Sequence, residues 1–180
     1  MSAKCGSTRD DSARSVRRRC WRQSPEDRRA FVSFATARMR MPGEFTLRAF
    51  TVPHAIRRAS ENNSSIVVVA TARNRSMLLT GDIEREAEFE LAPRITHVDV
   101  LKVAHHGSRS SSTTPLLDAA TPRIAIISCG ANNWFGHPHA SVMTALRERG
   151  MNILRTDRNG SIDIVIARTI QCVRQFDTPR

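Results

Sequence analysis

No stretch of this chain approaches the roughly 18–20 uninterrupted apolar residues that a membrane-crossing helix requires. The N-terminus is positively charged, but no apolar segment and cleavage site follow, so it does not read as a secretory signal. The four cysteines, Cys5, Cys20, Cys129 and Cys172, are widely scattered and none forms a Cys-x-x-Cys pair. That spacing excludes a disulfide scaffold and a cysteine zinc site. Cys129 ends an apolar run and reads as a small core residue. A soluble, reducing compartment is the expected setting, cytoplasmic for the chain expressed alone.

The 180 residues suffice for one domain with a proper core. The net charge of +11 is unevenly placed: residues 1–60 hold 14 Lys/Arg against 5 Asp/Glu, while the remaining 120 hold 14 against 12. The basic character therefore belongs to a leader, residues 1–42, and the body, residues 43–180, is nearly balanced. The leader is expected to be disordered to about Gln23. Pro25 to Arg40 is read as a weak helix with Ser24 as its cap. Arg14, Arg17, Arg18, Arg19 and Arg22 concentrate its charge. A solvated tail without a partner explains that charge, since the leader has no patterned aromatics and no recognisable binding module. If the leader does contact DNA, binding should be non-specific and salt-sensitive.

The body alternates elements. Phe45–Phe50 and Ser64–Ala72 read as strands, the second on the β-branched run Ile66-Val67-Val68-Val69. Arg73-Asn74-Arg75 is a hairpin turn into a strand over Ser76–Leu79. Ile83, Ala87 and Leu91, four apart, predict a short helix. Val98–Ala104 and Ile124–Ser128 read as buried strands. Between them a helix runs from Pro115 to Ala120, capped by Thr113 or Thr114. Pro138–Arg149 is a helix ended by Gly150. Strands over Asn152–Arg155 and Ser161–Ala167 flank a turn. A leading hairpin followed by alternating strands and helices predicts an α/β fold, a mixed sheet with helices packed on one face.

Three polar runs follow strands: Thr80-Gly81-Asp82, His105-His106-Gly107-Ser108 and Gly136-His137-Pro138-His139. The C-terminal ends of strands are where α/β sites gather. Asp82 can ligate a metal or cap the helix beginning at Ile83. His105 and His106, if extended, point to opposite sides, so one meets a metal and the other supports it. The turn at Gly107 and Ser108 can present amides to an anion. His137, read at a helix cap, can be a metal ligand, a phosphate contact or a proton donor. His139 reads as solvent-facing, His97 as structural, and His54 as a loop residue. Asn62-Asn63-Ser64-Ser65 either turns the chain into the next strand or supports ligands by hydrogen bonds.

These runs together, with Asp99-Val100-Leu101-Lys102-Val103-Ala104 leading into the histidines and Arg109-Ser110-Ser111-Ser112 following them, resemble one pattern. It is that of the C-terminal metallo-β-lactamase-like domain of the bacterial competence DNA-uptake channel protein, the ComEC type. The resemblance covers about residues 45–167. It implies a partial metallo-β-lactamase fold, the C-terminal half of an αβ/βα sandwich, and one or two zinc or manganese ions that activate water for hydrolysis. It makes Asp82 a metal ligand, with His105 preferred over His106 as the last histidine ligand. Asn63 and Ser65 become the polar motif before the central strand, and His137 a histidine close to the site. Full-length relatives are implied to be bacterial inner-membrane proteins in which this domain is suspected of degrading DNA.

The family's first motif, His-x-His-x-Asp-His, is absent from these 180 residues. What remains is expected to be a half-domain with a weak, open metal site, since zinc usually takes three or four protein ligands. Its unpartnered sheet face is expected to be apolar and to meet the missing half or a second copy. Three functions follow: a phosphodiester hydrolase completed from elsewhere, a catalytically inactive fragment, or a non-specific nucleic-acid binder acting through the leader.

Overall fold

The computed structural model describes residues 36–41, 45–166 and 170–175. The leader arginines and residues 25–35 of the expected helix lie outside them. Residues 36–40 do not continue a helix: Thr36–Met41 is the first strand, β1, paired antiparallel with β2, Phe45–Phe50. The sheet therefore reaches into the segment assigned to the leader.

Strands β3 (Val67–Ala72) and β4 (Arg75–Leu79) complete an antiparallel run with β2. The turn between them puts Arg73 and Asn74 at φ 48° and 63°. Two left-handed residues give a turn whose twist matches that of the flanking strands. Between β2 and β3 lie helix α1, His54–Ala59, and a 3₁₀ turn over Glu61–Ser64. His54 is thus a helix residue and not a loop residue. A segment with Ile56 as its main apolar anchor carries too little periodicity to announce itself.

From β4 the sheet turns parallel through β5 (Val100–Lys102), β6 (Ile124–Ile127) and β7 (Asn152–Arg155), giving seven strands in sequential order. Each parallel step needs a crossover. Helices α2 (Arg85–Leu91), α3 (Thr114–Ala120) and α4 (Ala140–Glu148) supply them. A one-turn helix α5 (Thr156–Asn159) leads to a separate hairpin of β8 (Ser161–Ile166) and β9 (Ile170–Gln175).

The register aligns Leu78, Leu101 and Ala125 on one sheet face. They join Phe50, Val67 and Ile127 in a buried cluster with Ile83, Ala87 and Leu91 around α2, Leu116 and Leu117 of α3, and Val142 and Leu146 of α4. This is the expected mixed sheet with helices on one face. The alternate residues Val100, Ile126 and Leu154 are buried as well, while Met77, Leu79 and Ile124 are half-buried. The second face is apolar, as parallel strands require, but it is not the bare surface expected from the sequence.

Thr113 occupies the cap position of α3, yet its side chain makes no capping bond. Glu88 of α2 does that work from across the interface. Its carboxylate, fully buried, accepts the Ser112 N–H at 2.7 Å and the Thr113 N–H at 2.6 Å. Burial pushes the Glu88 carboxyl above the usual glutamate range, opposed by those hydrogen bonds. A carboxyl whose pKa rises on folding binds protons more tightly in the folded chain. Its contribution to stability is full below the ordinary value of 4.5 and is lost as pH rises through the folded value. Chemical denaturation at a series of pH values should show stability falling with rising pH over that window, and Glu88→Gln should flatten this component. Glu88→Ala strands two N–H donors and should cost at least about 2 kcal/mol.

Candidate active site

The parallel register brings the ends of β4, β5 and β6 level, so the loops that follow them meet. Thr80, fully buried, donates its hydroxyl to the Lys102 carbonyl at 2.7 Å and ties β4 to β5. Gly81 then turns with φ 61°, and a Cβ there would lie 2.7 Å from the Ser65 Cβ. The Ser65 hydroxyl accepts the Asp82 N–H at 3.1 Å, and the Asn63 Oδ1 accepts the Glu84 N–H at 2.8 Å. The Asn62–Ser65 cluster lies in and just after a 3₁₀ turn, and its side chains bond the backbone that carries Asp82. Asp82 does not cap α2. The cap position is Glu84, whose own side chain makes no capping bond.

His105 and His106 are not extended. Both adopt left-handed backbone, at φ 46° and 55°. A non-glycine residue pays steric strain in that region, and two in succession mark a conformation imposed by tertiary contacts. One such contact is the His105 N–H, which donates to the Gly81 carbonyl at 3.2 Å. The histidine rings consequently sit edge to face, with centroids 6.4 Å apart, and do not project to opposite sides.

His106 faces Asp82. Its Nδ1 lies 2.6 Å from the Ser128 carbonyl oxygen. A carbonyl can only accept, so Nδ1 carries the proton, and in the neutral ring Nε2 keeps its lone pair. That Nε2 stands 3.9 Å from the Asp82 Oδ1. A backbone carbonyl thus orients the ring, and its other nitrogen lies beside a carboxylate. His105 turns to Glu84 instead. Its Nδ1 is 3.3 Å from the Glu84 Oε1 but is not aligned for a hydrogen bond. Glu84 also accepts from Asn62 at 3.0 Å and Ser110 at 3.3 Å. The Asn62 bond, more than any other contact, holds its carboxyl below the usual range.

His137 completes the ring cluster, 5.7 Å from His105 between centroids. Burial first, then the neighbouring His105 and His106, holds its pKa below the ordinary histidine value. It does not cap α4. That position belongs to His139, whose Nδ1 accepts the Ser141 N–H at 3.3 Å, so His139 is a cap and not merely solvent-facing. In the expected anion turn the Ser108 amide donates to the His105 carbonyl at 2.8 Å. His97 bonds Thr121 at 2.8 Å, far from the cluster in the fold.

Lys102 and Glu84 belong to this region although sequence reasoning passed over them. Burial lowers the Lys102 pKa, against the pull of the Asp82 charge. Lys102 sits in the same run as His105, which was the available signal. A separate cleft of about 800 Å³, lined by Arg75, Asp99, Arg123 and Arg149 among others, opens at the opposite ends of the strands and takes no part here.

Among the described residues, no group of three or more His, Cys, Asp or Glu is placed to hold a metal ion. Asp82 and His106 are two donors where zinc usually takes three or four. The side chains present do not fit a complete metal site.

No protein-family model matches the chain. It is 43% identical over 112 residues to ComE operon protein 3 of Bacillus subtilis, covering 61% of this chain and 14% of that protein. It is 36% identical over 112 residues to Recombination protein 2 of Haemophilus influenzae, covering 62% and 14%. It is 31% identical over 122 residues to Competence protein ComA of Neisseria gonorrhoeae, covering 66% and 18%. The chain thus matches less than a fifth of the length of these relatives, and it is distantly related to competence-associated proteins. A crystal structure from Parabacteroides distasonis, named as a metal-dependent hydrolase, aligns with a TM-score of 0.48 at 10% identity, over 68% of this chain and 56% of that one. Among the described residues no helix is long and apolar enough to cross a membrane.

The loops after β5 and β6 touch at Gly107. Its φ is 82°, a Cβ there would lie 2.6 Å from the Pro138 Cβ, and its carbonyl accepts the His139 N–H at 2.8 Å. Gly136 has φ 66° with nothing within 4 Å of a built Cβ. Gly107→Ala should therefore cost about 2–4 kcal/mol, from backbone strain and overpacking together, and Gly136→Ala only about 1 kcal/mol. Urea denaturation measures both; equal losses would show that the contact at Pro138 does not constrain the site.

Proposed function

We propose that this chain is the C-terminal, ligand-poor half of a metallo-β-lactamase-like domain of the ComEC type, spanning about residues 45–167. Its ancestral reaction is metal-dependent phosphodiester hydrolysis of DNA, and the polypeptide alone is catalytically incomplete. The observation that carries this reading is the Asp82–His106 pair, with the Nε2 of His106 aimed at the Asp82 carboxylate at 3.9 Å by the bond to Ser128. Two protein donors are enough to contribute to a zinc or manganese site and too few to complete one. His105, adjacent to Glu84, and His137 line the space beside the pair and are candidates for substrate contact or for a further donor. Asn63, Ser65, Gly107 and Ser108 position that space without reaching into it. The remaining ligands would come from a segment outside these 180 residues or from a second polypeptide.

The leader adds a weaker activity. Arg14, Arg17, Arg18, Arg19 and Arg22, in a segment with a net charge of +9 over residues 1–60, would supply non-specific phosphate contacts to DNA.

Degradation of labelled single-stranded DNA with Mn²⁺ tests the reading. The purified chain should show no turnover above background. A fragment bearing a His-x-His-x-Asp-His motif should confer metal-dependent turnover that Asp82→Ala and His106→Ala each abolish. Robust turnover by the chain alone, lost in both variants, would contradict incompleteness. A bound but inactive pair of fragments would contradict the shared site.

A further inference from the structure

We propose that Trp134 and Phe135 form a base-stacking platform for single-stranded nucleic acid at the rim of the histidine cluster. This rests on the phosphodiester reading of the site and adds how a substrate strand would be held. Both rings stand in water in the loop between β6 and α4: Trp134 is 101% exposed and Phe135 is 82% exposed. Leaving two large aromatic side chains solvated forgoes their burial energy, so their placement calls for a partner.

The loop that carries them is pinned, not slack. The Asn133 side chain closes it from inside. Its Oδ1 accepts the His137 N–H at 2.9 Å, and its Nδ2 donates to the Gly130 carbonyl at 2.9 Å and the His137 carbonyl at 2.6 Å. The Gly136 N–H donates to the Asn133 carbonyl at 3.2 Å. With Asn133 and His137 fixed to each other, the two residues between them and Gly136 are held outward.

The platform is continuous with the site. The Phe135 ring stacks on His137, with centroids 5.8 Å apart and planes 24° apart. His137 in turn meets His105, and His105 meets His106. A row of rings thus runs from solvent to the Asp82–His106 pair. Near its inner end is Lys102, which feels the charge of Asp82. A strand whose phosphate lies by the histidines would lay a neighbouring base on the outer rings. Every base offers a π-face, so such holding is tolerant of sequence.

The test uses the full chain with Trp21→Phe, which leaves Trp134 as its one tryptophan. A short oligothymidylate is added with chelator present and with enough salt to screen the leader. Trp134 emission should be quenched to saturation. In anisotropy with the labelled oligomer, Trp134→Ala and Phe135→Ala should each weaken binding about tenfold, and Trp134→Phe should restore most of it. An abasic oligomer carrying the same phosphates should bind about tenfold more weakly. Equal affinity for the abasic oligomer, absent quenching, or unchanged binding by Trp134→Ala would overturn the platform. A blue shift of Trp134 with protein concentration or with lipid vesicles, and none with the oligomer, would assign the rings to a second copy or a membrane and overturn it too. Because these readouts need neither metal nor turnover, they stand or fall separately from the hydrolytic reading.

Discussion

The hydrogen bond from His106 Nδ1 to the Ser128 carbonyl is the contact on which the site depends. It is 2.6 Å long and joins the loop after β5 to the end of β6. By fixing the proton on Nδ1 it decides which nitrogen keeps a lone pair, and by fixing the ring it decides where that lone pair points. Asp82 arrives from β4, one strand further over. Three adjacent parallel strands must be in register for these groups to meet. The bonds from Thr80 to Lys102 and from Asp82 to Ser65 hold that register where the strands end.

Holding this geometry has a steric cost. Two consecutive histidines lie in left-handed backbone, Gly107 touches Pro138, and Gly81 touches Ser65. The left-handed histidines would be destabilising by themselves, whereas the two glycines avoid clashes that a Cβ would make. They persist because buried elements surround them, including Glu88, which secures the loop over Ser112 and Thr113.

Much of the scaffold was legible in the residues. Ala87 and Leu91 announce a helix face because burial repeats with the helical period, and both are fully buried; Ile83, also buried, lies before the helix, which begins at Arg85 and not at Ile83. The runs ending at Leu79, Lys102 and Ile127 announce strands, and with them the positions of Asp82, His105 and His106. The left-handed histidines were not legible, since nothing local in His-His predicts positive φ. The resemblance leaned to His105 over His106 as the last histidine ligand, and the ring nitrogen that lies within 4 Å of the Asp82 carboxylate, 3.9 Å away, is that of His106. The strand at Thr36–Met41 was masked by the arginines around it. The capping role of Glu88 depends on a partner 24 residues away, which no window of sequence displays.

The central claim is that Asp82 and His106 form half of a metal site and not a whole one. Calorimetric titration of the full chain with Zn²⁺ at neutral pH addresses it directly. The account predicts weak binding, well above micromolar, reduced by Asp82→Ala and by His106→Ala and little changed by His97→Ala. A stoichiometric submicromolar site abolished by Asp82→Ala would show that the chain completes its own metal centre and would contradict the account.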